Sequence, residues 1–193
     1  MIRPARLALI RHGESAWIVE GRFQGQGDPP LSPDGERQAA AVGERMALPS
    51  AMPAVPVPDG APLAIWHSPL RRAAQTAQAV HAARGADAPL RPLDDLKELG
   101  QGEWEGLTHA TVQQRWPSEL AAWRDDPLDN HAPGGESLRD GMVRVRRACA
   151  IQMPLGHHTA GAPGPARAVC PHFLQPIIVI QRIEAFSTKR EMQ

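Results

Sequence analysis

The stretch that decides the fold is residues 7–15, Leu-Ala-Leu-Ile-Arg-His-Gly-Glu-Ser. Its first four residues are a continuous apolar run, which is typical of a strand buried on both faces of a parallel sheet. Arg11 and His12 follow this run directly. Because open α/β sheets bind ligands beyond the carboxyl ends of their strands, the sequence predicts a ligand site at these two residues.

A second unit of the same kind begins with the apolar residues 63–66, Leu-Ala-Ile-Trp. Ser68 and Pro69 come next, and a capping serine before a proline predicts that a helix begins there. Ser32 and Pro33 predict an earlier helix in the same way. Apolar strands that alternate with helices favour an α/β fold with a covered sheet. Further helix starts are predicted at Thr108, Pro117 and Ser137.

The composition limits the possible functions. The chain has 193 residues, enough for one domain, and equal numbers of basic and acidic side chains, 21 of each. A net charge of zero argues against nucleic acid or an anionic membrane as a partner. No apolar run is long enough for a membrane helix or a signal peptide. Cys149 and Cys170 are expected to be free thiols in a reducing compartment. We therefore expect a cytoplasmic protein.

The hydrophobic pattern fails in the C-terminal part. Residues 151–176 contain five prolines and three glycines, and neither helix nor strand periodicity survives there. Residues 177–180 are the one later stretch that predicts a strand. We therefore expect a domain over residues 1–150 and an atypical tail over 151–193, either disordered or read from a shifted frame.

Three groups of residues have the chemistry for a phosphate site. His12 is a nucleophile whose imidazole is largely neutral at physiological pH, and Arg11 beside it offers a planar fork of donors for phosphate oxygens. Arg71 and Arg72 lie in the first turn of the second helix, and at most one of them is expected to face the site. A glycine-rich loop over residues 96–106 carries several carboxylates, one of which could protonate a leaving group. Each group alone is also compatible with solvated surface residues.

Together these stretches make the chain resemble the histidine phosphatase superfamily, which includes phosphoglycerate mutases and many small phosphatases. The resemblance covers residues 7–147, and five motifs in the right order carry it. They are Arg11–Ser15, Arg22–Gly25 with Pro30–Ser32, Ser68–Ala73 with Gln75–Ala77, Glu98 with Gly102–Thr108, and Pro133–Ser137.

The resemblance implies a three-layer α/β/α sandwich with a mostly parallel sheet, incomplete at its C-terminus, and a phosphohistidine mechanism. By position, His12 takes the phosphoryl group, Arg11 and Arg72 hold its oxygens, and Glu98 is the acid and base. Ser15, Gln24 and Gly25 are expected on the substrate side. The expected partner is a small phosphorylated substrate, and neither a cofactor nor a metal is expected.

The chain departs from the family in two places. The family has a second histidine in a His-Gly motif after a late apolar strand, and none of His157, His158 and His172 reproduces that motif. A metal site formed by Cys170 with these histidines would lack the usual spacing of ligands along the chain. The family's usual asparagine is replaced by Ile18.

Three functions remain open on the sequence. A phosphomonoester phosphatase is favoured, because the segment between the loop of residues 96–106 and the Gly-Gly-Glu-Ser motif at 134–137 is short. Phosphoglycerate mutases have a longer segment there. The third alternative is a catalytically impaired relic that binds phosphorylated ligands.

Overall fold

The computed structural model describes residues 5–48, 50–53, 64–84, 87–149 and 177–183. The strands are β1 (Ala5–Arg11), β2 (Ala64–His67), β3 (Leu90–Pro92) and β4 (Ile177–Ile183). The helices are α1 (Ala16–Val19), α2 (Pro33–Ala47), α3 (Arg71–Arg84), α4 (His109–Arg115), α5 (Pro117–Asp125) and α6 (Leu138–Arg147). No helix among these residues has both the length and the apolar character to cross a membrane.

The four described strands form one sheet in the order β1-β4-β2-β3. The strands β2 and β3 pair in parallel, whereas β4 pairs antiparallel with both β1 and β2. It follows that β1, β2 and β3 run in one direction and end at the same edge of the sheet. The α/β fold predicted from the sequence is confirmed, and β4 is the strand that runs against the others.

The side chains of β2 alternate between two cores on opposite faces of the sheet. Ile65 is fully buried with Met46, Ala77 and Val80, which come from α2 and α3. On the other face, Ala64 and Trp66 pack with Leu93 and Leu96, from the short 3-10 segment after β3, and with Ala148 at the end of α6. Helices therefore cover both faces of β2, which explains why residues 64–66 are apolar without interruption.

A third core lies under α4 and α5. The tryptophan ring of Trp104 is completely buried, and the rings of Phe23 and Trp123 pack against it. Val112 and Leu120, from α4 and α5, complete the cluster. This core fixes the loop around Trp104, which adjoins the Glu98 segment.

The predicted helix starts agree with the structure except at α3. Ser32, Thr108 and Ser137 each cap a helix with the side-chain oxygen, and α5 begins at Pro117. The helix α3 begins at Arg71, because Ser68 accepts a hydrogen bond from the backbone of Leu70 and residues 69–70 form a bend.

Only part of the predicted tail belongs to the described residues. The predicted strand over 177–180 lies within β4, which enters the sheet between β1 and β2. The proline-rich stretch 151–176, with Cys170 and the three histidines at 157, 158 and 172, lies outside the described residues.

Gly43 provides a test of the α2–α3 packing. A Cβ atom there would lie 2.8 Å from the backbone oxygen of Ala79 in α3. Alanine is a better helix former than glycine by about 1 kcal/mol, but overpacking costs about 1–3 kcal/mol. Gly43→Ala is therefore expected to lower the melting temperature. A rise in melting temperature, as helix propensity alone predicts, would contradict the close packing of the two helices.

Candidate active site

The candidate site lies where β1 and β2 end. Ile10 of β1 and His67 of β2 both pair with Ile178 of β4, so the two strand ends are separated by one strand. His12 follows β1, and Arg72 lies in the first turn of the helix that follows β2. The topology therefore brings together the two motifs that the sequence analysis singled out.

His12 is held as a neutral imidazole. Its side chain is 5% exposed, and its Nδ1–H donates a hydrogen bond of 2.5 Å to the carbonyl oxygen of Gly13. Burial lowers the pKa of His12 to about 4, opposed by the Gly13 hydrogen bond and assisted by the positive charges of Arg72 and Arg11. Because a carbonyl oxygen only accepts, the proton is on Nδ1 and the lone pair is on Nε2.

The turn that carries His12 is fixed by close backbone packing. A Cβ atom on Gly13 would lie 2.3 Å from the carbonyl oxygen of Gly35, so only glycine fits at this position. The Gly13 N–H donates to the hydroxyl of Thr76 at 3.1 Å, and this hydroxyl donates to the carbonyl of Arg72 at 2.8 Å. A single buried hydroxyl thus connects the histidine turn to the helix that carries Arg72.

Arg72 is a fully buried cation. Its guanidinium donates to the carbonyl oxygens of Gly27 and Gly25, both at 2.8 Å, and to the carboxylate of Glu98 at 2.6 Å. Its Nε–H has no hydrogen-bond partner in the described part of the chain, and neither has the Nε2 atom of His12. Buried polar atoms are rarely left unpaired, and in the described part of the chain Trp66, Gln101 and Trp104 each have one too. Because Arg72 and His12 lie where β1 and β2 end, we expect a ligand to contact their two atoms.

Glu98 has the protonation behaviour of an acid that works near neutrality. Burial raises its pKa from 4.5 to about 7, although Arg72 and Arg11 lower it and Glu105 raises it slightly further. A carboxyl group with this pKa is protonated and ionised in comparable amounts at pH 7. Glu98 can therefore donate a proton in one step and accept one in the next.

Arg11 is exposed and lies beside a cleft of about 300 Å³. His12, Gly13, Glu14, Ile18 and Gln38 also line the cleft. The charge of Arg11 lowers the pKa of both His12 and Glu98, so it acts on both groups. Ile18, which replaces the family's asparagine, gives this cleft an apolar wall that is 37% exposed.

Of the three predicted substrate-side residues, Gln24 and Gly25 lie in the loop that holds Arg72, and Ser15 contacts this loop from the start of α1. The buried hydroxyl of Ser15 donates to the side-chain oxygen of Gln24 and also caps α1. Gly25 has a φ angle of +54°, and a Cβ atom there would lie 2.4 Å from the Glu105 carboxylate. Since Gly25 presents its carbonyl oxygen to Arg72, this glycine positions the cation.

Several residues around the site have contacts that the sequence did not indicate. Thr76 belongs to the Gln75–Ala77 motif, and its hydroxyl connects the His12 turn to α3. His67 is buried, its Nδ1–H donates to the carbonyl of Ser68 at 2.7 Å, and burial lowers its pKa. Glu136 and Arg144 bind the backbone of the Glu98 segment. Within the described residues, no three His, Cys, Asp or Glu side chains form a group that could hold a metal ion.

Comparisons with known proteins agree with this geometry. The sequence profile of the histidine phosphatase superfamily (branch 1) matches residues 7–158. A bifunctional protein of Mycobacterium tuberculosis is 38% identical over 75% of this chain and 36% of its own length. Glucosyl-3-phosphoglycerate phosphatase of the same species is 36% identical over 87% of this chain and 69% of its own length.

A solved structure has the same fold. The mycobacterial glucosyl-3-phosphoglycerate phosphatase in complex with VO3 superposes with a TM-score of 0.61 and 32% identity. The alignment covers 80% of this chain and 67% of that chain. This chain spans about a third of the length of the curated relatives that match it first.

The protonation state of His12 can be tested directly. In an NMR titration, the His12 ring is expected to titrate near pH 4 and to show the Nδ1-protonated tautomer at pH 7. Arg72→Gln is expected to raise this pKa only partway towards 6.5, because burial is the larger cause. A His12 pKa near 6.5 in the unaltered protein would contradict the buried geometry.

Proposed function

Because the chain belongs to the histidine phosphatase superfamily, we propose that it hydrolyses phosphomonoesters of small metabolites through a phosphohistidine at His12. The observation that carries the proposal is the buried Nε2 atom of His12, which has a free lone pair and no partner in the described part of the chain. The Gly13 carbonyl orients this lone pair, and the low pKa keeps it available.

In the first step, His12 Nε2 attacks phosphorus and the P–N bond forms as the ester P–O bond breaks. The departing oxygen takes the proton of Glu98, so the alcohol leaves neutral and Glu98 becomes a carboxylate. The Nδ1–H bond to Gly13 remains in place while the ring gains positive charge. This step needs Glu98 protonated and His12 neutral. The pKa of about 7 leaves about half of the Glu98 side chains protonated at pH 7, and the low pKa of His12 keeps its imidazole neutral.

In the second step, a water molecule attacks the phosphohistidine. The Glu98 carboxylate takes a proton from this water, the new P–O bond forms, and the P–N bond breaks. Inorganic phosphate leaves, and His12 and Glu98 return to their starting states. Splitting one difficult displacement into two easier ones is the general advantage of a covalent intermediate.

The two arginines supply the charge that phosphoryl transfer requires. Arg72 is fixed by two carbonyl oxygens and a carboxylate, and its unpaired Nε–H can donate to a phosphoryl oxygen. Arg11 adds a second positive charge at the cleft. Preorganised donors of this kind stabilise the transition state without rearranging during the reaction.

The substrate class follows from chemistry and from the relatives. A Glu98 that is half protonated at neutral pH is useful when the leaving group is a poor one, such as the alkoxide of a sugar or glycerate phosphate. A similar protein carries the name glucosyl-3-phosphoglycerate phosphatase. We therefore propose an alkyl phosphomonoester as the substrate. The balanced charge of the chain argues against nucleic acid as a partner. We also propose that the protein acts in the cytoplasm, because its two cysteines have no CxxC spacing.

The first test is release of phosphate from p-nitrophenyl phosphate in EDTA. The unaltered protein is expected to turn over, and His12→Ala is expected to lose about 10³-fold or more, because a nucleophile has no substitute. His131→Ala is the matched control, since His131 also bonds its Nδ1 to the next residue's carbonyl, at 2.9 Å, but is exposed. This control is expected to keep full activity.

This test and a parallel assay with 3-phosphoglycerate together separate the three functions. Activity that survives in His12→Ala would contradict the proposal. Conversion of 3-phosphoglycerate to 2-phosphoglycerate without free phosphate would indicate a mutase. A folded protein without turnover, but stabilised against heat by phosphate, would indicate the binding relic.

The pH dependence gives a second test. The kcat/KM for an alkyl phosphomonoester is expected to fall above about pH 7, because Glu98, with its pKa near 7, loses the proton that it must donate. Glu98→Gln is expected to lower kcat/KM by about 10²–10⁴-fold and to remove this fall. If kcat/KM of Glu98→Gln still falls above about pH 7, the fall is caused by the titration of another group.

A further inference from the structure

We infer that Arg144 and Glu136 form a clamp that holds the backbone of Glu98 and thereby positions this acid for proton transfer. The inference rests on the proposed function. The clamp joins α6, the Gly-Gly-Glu-Ser segment and the loop that carries Glu98. Both residues act through Glu98 and are positioning residues.

Arg144 binds the loop through its carbonyl oxygens. One guanidinium nitrogen donates to the carbonyls of Asp95 and Lys97 at 3.0 and 2.8 Å, and the other donates to the carbonyl of Glu98 at 3.3 Å. Three carbonyls of one short loop are thus held by a single rigid group. The Arg144 side chain is only 14% exposed, so these bonds are largely shielded from water.

Glu136 closes the clamp from the other side. Its carboxylate accepts from Arg144 at 2.8 Å and from the backbone N–H of Gly100 at 2.9 Å. The same oxygen accepts from Gln26 at 3.2 Å, and Gln26 also donates to the carbonyl of Glu98 at 3.3 Å. The backbone N–H of Glu136 donates to the Gly100 carbonyl at 2.8 Å. The residues on both sides of Glu98 are therefore fixed by the same carboxylate and arginine.

The loop has little regular structure of its own between Asp95, which pairs with Arg147, and the buried Trp104. It contains only two short 3-10 turns, Asp94–Leu96 and Gly102–Trp104. The Glu98 side chain has one strong contact, the ion pair with Arg72. Since a shift of about 1 Å costs about 10²-fold in rate, a loosened backbone would impair proton transfer from Glu98.

The test uses the leaving group to separate positioning from general stability. An alkyl phosphate needs a proton on its departing oxygen, whereas p-nitrophenyl phosphate releases a stable phenolate that needs little help. Damage to proton transfer lowers kcat/KM for the alkyl substrate selectively. A merely structural role for Arg144 would lower both activities alike.

Arg144→Gln is expected to lower kcat/KM for an alkyl phosphate, such as 3-phosphoglycerate, by about 10–100-fold, and for p-nitrophenyl phosphate by less than about threefold. The matched control is Arg139→Gln on the same helix. Arg139 also binds a carboxylate through two nitrogens, that of Asp129, but both side chains are more than half exposed and neither contacts the Glu98 loop. This control is expected to leave both activities unchanged.

A double variant tests whether Arg144 acts through Glu98. When Arg144→Gln is added to Glu98→Gln, kcat/KM for the alkyl substrate is expected to fall little further, because the acid is already absent. Glu136→Gln, which keeps an acceptor oxygen, is expected to give a smaller loss of the same selectivity. Glu136→Gln also tests the clamp if Arg144→Gln fails to fold. Equal losses on both substrates, or additive losses in the double variant, would overturn the inference, whereas the test of His12 would stand.

Discussion

The guanidinium of Arg72 is the group on which the rest of the site depends, because a cation buried this completely must be surrounded by acceptors. The carbonyls of Gly25 and Gly27 and the carboxylate of Glu98 supply them. Each acceptor belongs to a loop whose path is constrained, and Gly25 in particular has a positive φ and no room for a side chain. Through the Arg72 carbonyl and Thr76, the same helical turn also fixes the turn of His12. One cation thus sets the positions of the proposed nucleophile and acid together.

The sequence could predict the elements whose signals are local. The apolar runs before His12 and Ser68 predicted β1 and β2, and the capping residues Ser32, Thr108 and Ser137 predicted their helices. Contacts between distant residues could not be predicted, because nothing in the spacing of Arg144 and Glu98 shows that they meet across 46 positions. The start of α3 was misplaced because a serine that caps a bend has the same pattern as one that caps a helix.

The strand β4 comes last among the described strands but lies inside the sheet. The backbone of β4 pairs with β1 on one side and β2 on the other, so it lies between the two strands that carry the site. It runs antiparallel, and its first residue, Ile177, pairs with Arg11 at the site edge. His67, at the end of β2, is the second buried histidine of this region in the described part of the chain. The four residues that we propose for the site are His12, Arg11, Arg72 and Glu98.

The central claim is that the phosphoryl group passes through His12, and trapping the intermediate tests it most directly. The protein would be mixed with a ³²P-labelled phosphomonoester, quenched in alkali within milliseconds, and digested for mass spectrometry. The account predicts a phosphate that is stable in base, labile in acid and located on the peptide that contains His12. Turnover without label on that peptide, or label on another residue, would contradict the account.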